Sequence, residues 1–170
     1  MNELLNRFYR YEFVAALTCI LMPFILIFAN GSGLHSISEY AYTDIDFIYV
    51  FLLTVASTLI TVVGVIKNQI LTWILGLVLM IVPLTPHLDF PTIHLVASII
   101  FFAGIIIDIL YYTEVFYKFR LFLVGAIALA FGIYYATDWI SLFTAESVGL
   151  VVFGVNFLAD LIGEKKEMRY

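Results

Sequence analysis

Six long apolar runs, separated by short polar segments, occupy most of the chain. They lie at about residues 13–29, 46–66, 69–84, 91–112, 119–136 and 139–162. A helix needs about 20 apolar residues to cross the ~30 Å hydrocarbon core of a bilayer. The third run, with roughly 16 residues, would be about 24 Å long and barely crosses it. The pattern predicts an all-α polytopic membrane protein with one domain, residues 1–170, folded as a bundle of six transmembrane helices.

Composition excludes a soluble protein. Of the 170 residues, 64% are hydrophobic and 12% are charged, and the mean hydropathy is +1.07. A soluble domain of this length needs many more polar residues to cover its surface. The single cysteine, Cys19, has no partner for an internal disulfide, and its apolar neighbours indicate a buried small side chain rather than a redox group.

The basic residues predict the orientation of the chain. In a six-span topology all eight fall on one side of the membrane: Arg7, Arg10, Lys67, Lys118, Arg120, Lys165, Lys166 and Arg169. Short loops rich in Lys and Arg stay in the cytoplasm. We therefore expect both the N-terminus and the C-terminus to be cytoplasmic.

The opposite side of this topology carries acids and histidines. All three histidines, His35, His87 and His94, lie there with several carboxylates. Acidic outer loops are also the passive counterpart of basic cytoplasmic loops, which would explain the loop carboxylates without a function. Imidazoles beside carboxylates, however, supply ligands for a transition metal, or an acid and a base for proton transfer. Their spacing in the sequence matches no compact metal-binding motif.

Polar residues inside the predicted helices recur on single faces. On helix four, His94, Ser98 and Asp108 fall within about 80° at ~100° per residue, and Glu146 lies on a similar polar face of helix six. A carboxylate near the hydrocarbon centre costs on the order of 3 kcal/mol, so Glu146 needs a partner, a proton or water. We predict His94, at comparable depth, as that partner. Exposure at the inner surface, or pairing with Lys118, would explain Asp108.

Three segments resemble a family of uncharacterised small bacterial membrane proteins. The loop from Ser36 to Thr43, Ser-Ile-Ser-Glu-Tyr-Ala-Tyr-Thr, is similar to the family's Ser-Ile-Ser-x-Tyr segment. The segment from His94 to Phe102 resembles its His-x-x-x-Ala/Ser-x-x-Phe-Phe helix, and Glu146 with the following Phe-Gly-Val resembles its last helix. The resemblance implies a six-helix fold in the bacterial inner (cytoplasmic) membrane, without an established activity.

More distantly, such proteins resemble the alkaline ceramidase and adiponectin-receptor superfamily of zinc-containing membrane hydrolases. That superfamily has a His-x-x-x-His pair in its last helix, which helix six lacks. The resemblance implies analogous catalytic roles for Ser38, His94 and Glu146. As a hypothesis, zinc held by His94, Glu146 and either His35 or His87 activates water to hydrolyse a lipid or amphipathic substrate near the outer leaflet. The residues predicted to bind the substrate are Ser36, Tyr40, Tyr42 and Ser98.

A non-enzymatic function is the alternative: a lipid or small-molecule binder, or a subunit of a homo-oligomeric complex or pore. Helix five carries a small-residue face, Gly125, Ala128 and Gly132, which predicts close packing of another helix. One six-helix bundle has too few polar faces to line a channel, so a pore needs an oligomer. No basic patch indicates nucleic-acid binding. Membrane lipid is the expected partner.

Overall fold

The protein is entirely helical over the residues described by its computed structural model, which are 2–112, 117–137 and 139–167. Side chains are described over residues 9–112, 117–137 and 139–163. Six α-helices form the bundle: α1 (Asn2–Asn30), α2 (Asp46–Ile66), α3 (Ile70–Leu84), α4 (Pro91–Tyr112), α5 (Tyr117–Ala136) and α6 (Leu142–Glu167). A short 3-10 helix, Ile37–Tyr42, lies in the connection between α1 and α2.

Five of these helices contain segments long and apolar enough to cross a membrane. The segments are Tyr9–Asn30, Asp46–Ile66, Pro91–Tyr112, Tyr117–Ala136 and Leu142–Gly163. The sixth helix, α3, is apolar but has only 15 residues, about 22 Å at the helical rise of ~1.5 Å per residue. Helix α1 begins at Asn2 rather than near residue 13, because polar residues such as Arg10 and Glu12 extend a helix without belonging to its apolar run.

Each helix packs against its neighbours in sequence, and α1 also packs against α6, so the helices form a closed ring. Helix α3 lies between α2 and α4. Large apolar side chains that are fully or almost fully buried, among them Met22, Ile60, Phe101 and Phe153, fill the interior. Cys19 is buried among them and is a free thiol, as its apolar neighbours predict.

Two hydrogen-bonded pairs define one end of the bundle. Nζ of Lys67, in the α2–α3 turn, lies 2.6 Å from Oε1 of Glu12 on α1. Near the same turn, the hydroxyl of Thr72 donates a hydrogen bond of 2.6 Å to Oδ1 of Asp108, close to the end of α4. The predicted exposure of Asp108, or its pairing with Lys118, is therefore wrong, because Asp108 is buried against α3. We call this the basic end, because the described basic residues lie there: Arg10, Lys67, Lys118 and Arg120.

Small residues bring the helices close together, but not on the predicted face. A methyl group at Gly154 of α6 would come within 2.6 Å of the carbonyl oxygen of Ala16 on α1. By contrast, a methyl group at Gly125 or Gly132 of α5 would meet nothing within 4 Å among the described residues. The close contact predicted for the small-residue face of α5 is therefore not formed at Gly125 or Gly132 among the described residues, while α6 uses a glycine that the sequence analysis did not single out for packing.

Candidate functional site

The loop after α1 folds over the end of the bundle opposite the basic end, and α6 anchors it. The backbone N–H of Ile37 donates a hydrogen bond of 2.7 Å to Oε2 of Glu146. The backbone N–H of Phe143 donates one of 2.6 Å to the carbonyl oxygen of His35. The aromatic ring of Tyr40 packs on that of Phe143, with 6.0 Å between centroids. We call the end of the bundle that this loop covers the histidine end.

Glu146 is buried, with 8% of its surface exposed. The partner of its carboxylate is the Ile37 N–H, and in the described part of the chain it forms no ion pair with His94. Glu146 therefore has a partner, as predicted, but that partner is a backbone N–H and not the imidazole of His94. A hydrogen bond to a buried carboxylate is charge-assisted and stronger than one between neutral groups, so Glu146 helps to hold the loop on the bundle.

His94 is oriented by the end of α3. Its Nδ1 lies 2.8 Å from the carbonyl oxygen of Thr85. A carbonyl oxygen only accepts, so Nδ1 carries the proton in this contact. The ring of His87 lies beside it, with 5.9 Å between centroids, and Tyr42 packs edge-on against His87. Both histidines therefore belong to one aromatic cluster at the histidine end.

A pocket of about 670 Å³ opens between α4, α5 and α6 beneath this loop. Its polar wall contains most of the site residues predicted from the sequence: His35, Ser36, Ser38, His94, Ser98 and Glu146. Glu39 and His87 complete this polar wall. Tyr40 and Tyr42 do not line the pocket, because the Tyr40 hydroxyl donates to the carbonyl oxygen of Ser32 and the Tyr42 hydroxyl accepts from the Leu88 N–H. These two tyrosines hold the loop and the α3–α4 connection.

Away from the polar wall the pocket is apolar. Helix α4 contributes one face, at the i, i+3, i+4 spacing of a helix: Leu95, Ile99, Phe102, Ala103 and Ile106. Helix α5 contributes Ile127, Ala128, Phe131, Tyr134 and Tyr135. The pocket therefore has a polar end at the loop and an apolar part that runs along the helices toward the middle of the bundle.

A second cavity, of about 30 Å³, lies deeper at the same place and shares Ser38, His94, Ser98 and Glu146 with the pocket. We call it the inner chamber. Tyr49 of α2 also lines it, and its buried hydroxyl has no hydrogen-bond partner among the described residues. The sequence analysis missed Tyr49. A signal was present, since a tyrosine near the start of the apolar helix α2 puts a hydroxyl at the depth of Glu146.

The predicted metal site is not supported. Among the described residues, no group of three or more His, Cys, Asp or Glu side chains is arranged to hold a metal ion. The proposed ligands form other contacts. Nδ1 of His94 is hydrogen-bonded to Thr85, and the Glu146 carboxylate accepts from Ile37. The ring of His35 packs in a tilted contact with that of Tyr134, with 6.4 Å between centroids. The predicted catalytic residues share the pocket but form no hydrogen bond with one another in the described structure, since the hydroxyl of Ser38 pairs with that of Ser36 at 3.0 Å.

Comparison with known proteins places the chain in an uncharacterised group. The model of a family described as "Family of unknown function (DUF7103)" matches residues 21–161. No curated protein and no solved structure matches. The expected resemblance to an uncharacterised family is confirmed at this level, and nothing in these comparisons supports the resemblance to the alkaline ceramidase and adiponectin-receptor superfamily.

Proposed function

We propose that this chain, which belongs to DUF7103, a family of unknown function, is an integral membrane protein that binds a single-chain amphiphile. The proposal comes from the site alone. The observation that carries the proposal is the two-part pocket, with serines, histidines and carboxylates at one end and apolar side chains of α4 and α5 along the rest. Its volume of about 670 Å³ lies within the usual range for small-ligand sites.

The extent of the pocket supports one hydrocarbon chain as the occupant. Along α4 the lining runs from Pro91 to Ile106, which is about 22 Å at the helical rise of ~1.5 Å per residue. This is more than half of the ~30 Å hydrocarbon core, so a tail in the pocket would span one leaflet. Burial of the tail against Ile99, Phe102 and Ile127 would supply the hydrophobic part of the binding free energy.

We further propose that all six helices cross the membrane and that the basic end faces the cytoplasm. Helix α3, although short, packs between α2 and α4, and it runs from the basic end to Thr85 at the histidine end. The described basic residues lie together, as the positive-inside rule requires of cytoplasmic loops. In this topology both termini are cytoplasmic and the pocket lies in the outer leaflet of a bacterial inner membrane.

Photolabelling tests the binding proposal. A single-chain alcohol that carries a diazirine at the end of its tail is added to the protein in nanodiscs, and the labelled peptides are identified by mass spectrometry. We expect labelling near Ile106 of α4 and Ile127 of α5. Ala128→Phe, which fills the pocket, should abolish it, whereas Leu129→Phe, on an exposed neighbouring position outside the lining, should not. Equal labelling of the two variants would contradict the proposal.

Native mass spectrometry of the same preparation in detergent provides a second measurement. We expect the wild-type protein to retain the added alcohol and the Ala128→Phe variant to lose it. The masses also give the number of chains in each particle, which tests the expectation of a homo-oligomer and, with it, the pore alternative.

A metal-independent lipid hydrolase is the second candidate. The observation in its favour is that Ser38 lines the inner chamber together with His94, whose Nδ1 lies 2.8 Å from the carbonyl oxygen of Thr85. A serine activated by a histidine is a common nucleophile for esters and amides. If this activity exists, a fluorophosphonate probe labels the wild-type protein and Ser36→Ala but not Ser38→Ala. No labelling of the wild-type protein would remove this candidate.

A further inference from the structure

We infer that the amphiphile carries a primary amine and that its ammonium group occupies the inner chamber beside Tyr49 and Glu146. The inference rests on the proposed binding function and adds the chemical class of the ligand. It follows from three properties of the inner chamber: the groups in its wall that lack partners, its charge, and its size.

Two polar groups in the wall of the inner chamber have no hydrogen-bond partner among the described residues. The hydroxyl of Tyr49 is buried and unbonded, whereas most buried polar groups form a hydrogen bond. Glu146 uses Oε2 to accept from Ile37, and Oε1 has no donor among the described side chains and backbone groups. An alkylammonium group has three N–H donors. It can therefore donate to Glu146 Oε1 and to the oxygen of Tyr49, which belong to residues that line this chamber.

The charge of the surroundings favours a cation. Among the described residues, the carboxylates in the two linings are Glu39 and Glu146, and neither lining contains a Lys or Arg. A buried carboxylate without a cation is costly, and a paired one is much less so. An ammonium group would therefore be attracted, whereas a carboxylate or phosphate head would be repelled by Glu146 and would find no Lys or Arg to bind among the described lining residues.

The size of the inner chamber restricts the head group. One buried water needs at least about 10–15 Å³ of such volume, so the chamber of about 30 Å³ holds roughly two waters or one small group. A primary ammonium group fits this space. A trimethylammonium group is bulkier, and it lacks N–H donors for Tyr49 and Glu146. Size and hydrogen bonding therefore distinguish two head groups of the same charge.

The test is a competition experiment with four amphiphiles of equal chain length. Dodecylamine, dodecanol, dodecanoate and dodecyltrimethylammonium compete with the diazirine alcohol for labelling in nanodiscs of neutral lipid. We expect dodecylamine to compete at concentrations about tenfold lower than the other three, because charge-assisted hydrogen bonds are the stronger ones. Competition by dodecyltrimethylammonium or dodecanoate at the same concentration as the amine would overturn the inference.

Two variants assign the preference to the inner chamber. Glu146→Gln keeps an oxygen for the Ile37 N–H and removes the charge, so the advantage of the amine over the alcohol should fall to about twofold or less. Tyr49→Phe removes only the hydroxyl and should weaken the amine about threefold or more. Asp44→Asn, an exposed carboxylate outside both linings, is the matched control and should leave the preference unchanged.

The outcomes separate this inference from the proposed function. If no amphiphile competes and the pocket is not labelled, the binding function itself is wrong. If all four compete equally, or if Tyr49→Phe and Glu146→Gln retain the full preference for the amine, the binding function stands and the inferred ligand class is wrong. Because Tyr49→Phe keeps the aromatic ring, it gives an answer even if Glu146→Gln fails to fold.

Discussion

The backbone N–H of Ile37 donates a hydrogen bond of 2.7 Å to Oε2 of Glu146, a residue 109 positions later in the chain. This bond joins the loop after α1 to the last helix. It engages one oxygen of the carboxylate, and Glu146 also lines the inner chamber, so the same side chain holds the loop and belongs to the proposed ligand site.

Removal of the Glu146 carboxylate, which accepts the hydrogen bond from Ile37, should destabilise the loop. In Glu146→Leu the buried N–H of Ile37 has no partner, and we expect a loss of about 1–3 kcal/mol in the free energy of unfolding. Glu146→Gln keeps an oxygen acceptor and should lose less. Denaturant unfolding in detergent measures the stability, and limited proteolysis between residues 31 and 45 measures exposure of the loop. Unchanged proteolysis of Glu146→Leu would show that the loop is held in another way.

The buried ion pair at the basic end should contribute strongly to stability. Glu12 is fully buried and Lys67 is 10% exposed, with 2.6 Å between the charged atoms. Lys67→Met leaves the Glu12 carboxylate buried without this cation, so we expect a destabilisation of about 3–5 kcal/mol. The double variant Glu12→Gln with Lys67→Met should recover much of that loss, because both charges of this pair are removed. Lys118→Met, at an exposed position of the same end, should stay within about 0.5 kcal/mol of the wild type.

Close packing of α6 against α1 should make Gly154 intolerant of any side chain. A methyl group there would meet the carbonyl oxygen of Ala16 and the side chain of Ile20. We expect Gly154→Ala to lower stability by about 1–3 kcal/mol through overpacking. Gly132→Ala on α5 has open space around it and serves as the control, with little or no loss. Thermal unfolding of both variants in the same detergent compares them, and equal stabilities would contradict the packing described for Gly154.

Sidedness of the two ends can be measured with single cysteines. On a Cys19→Ala background, Leu88→Cys at the histidine end and Lys118→Cys at the basic end both replace exposed side chains. In intact bacterial spheroplasts, a membrane-impermeant maleimide should label position 88 and not position 118, until the membrane is broken open. Labelling of both positions in intact spheroplasts, or of position 118 alone, would contradict the proposed topology.

Apolar periodicity was enough to predict the helices, because lipid requires long apolar segments and closed backbone hydrogen bonding. The same signal placed the start of α1 too late and so missed Glu12, since a buried carboxylate paired with Lys67 interrupts the apolar run without interrupting the helix. Polar faces also predicted that Glu146 and His94 would lie close together, and the family resemblance implied that Ser38 belongs to the same site. Their partners were not predictable, because Thr85 and Ile37 contribute backbone groups, which are the same for every residue type.

The position of Glu146 in the last helix has a consequence for biosynthesis. Helices emerge from the ribosome in chain order, and α1 through α5, with the loop around Ile37, precede α6. The polar end of the pocket is therefore assembled last, when α6 inserts between α5 and α1. Only then can the Glu146 carboxylate accept the hydrogen bond from the loop. A nascent chain that stalls before this step contains five helices and three histidines but has no acidic acceptor in the inner chamber.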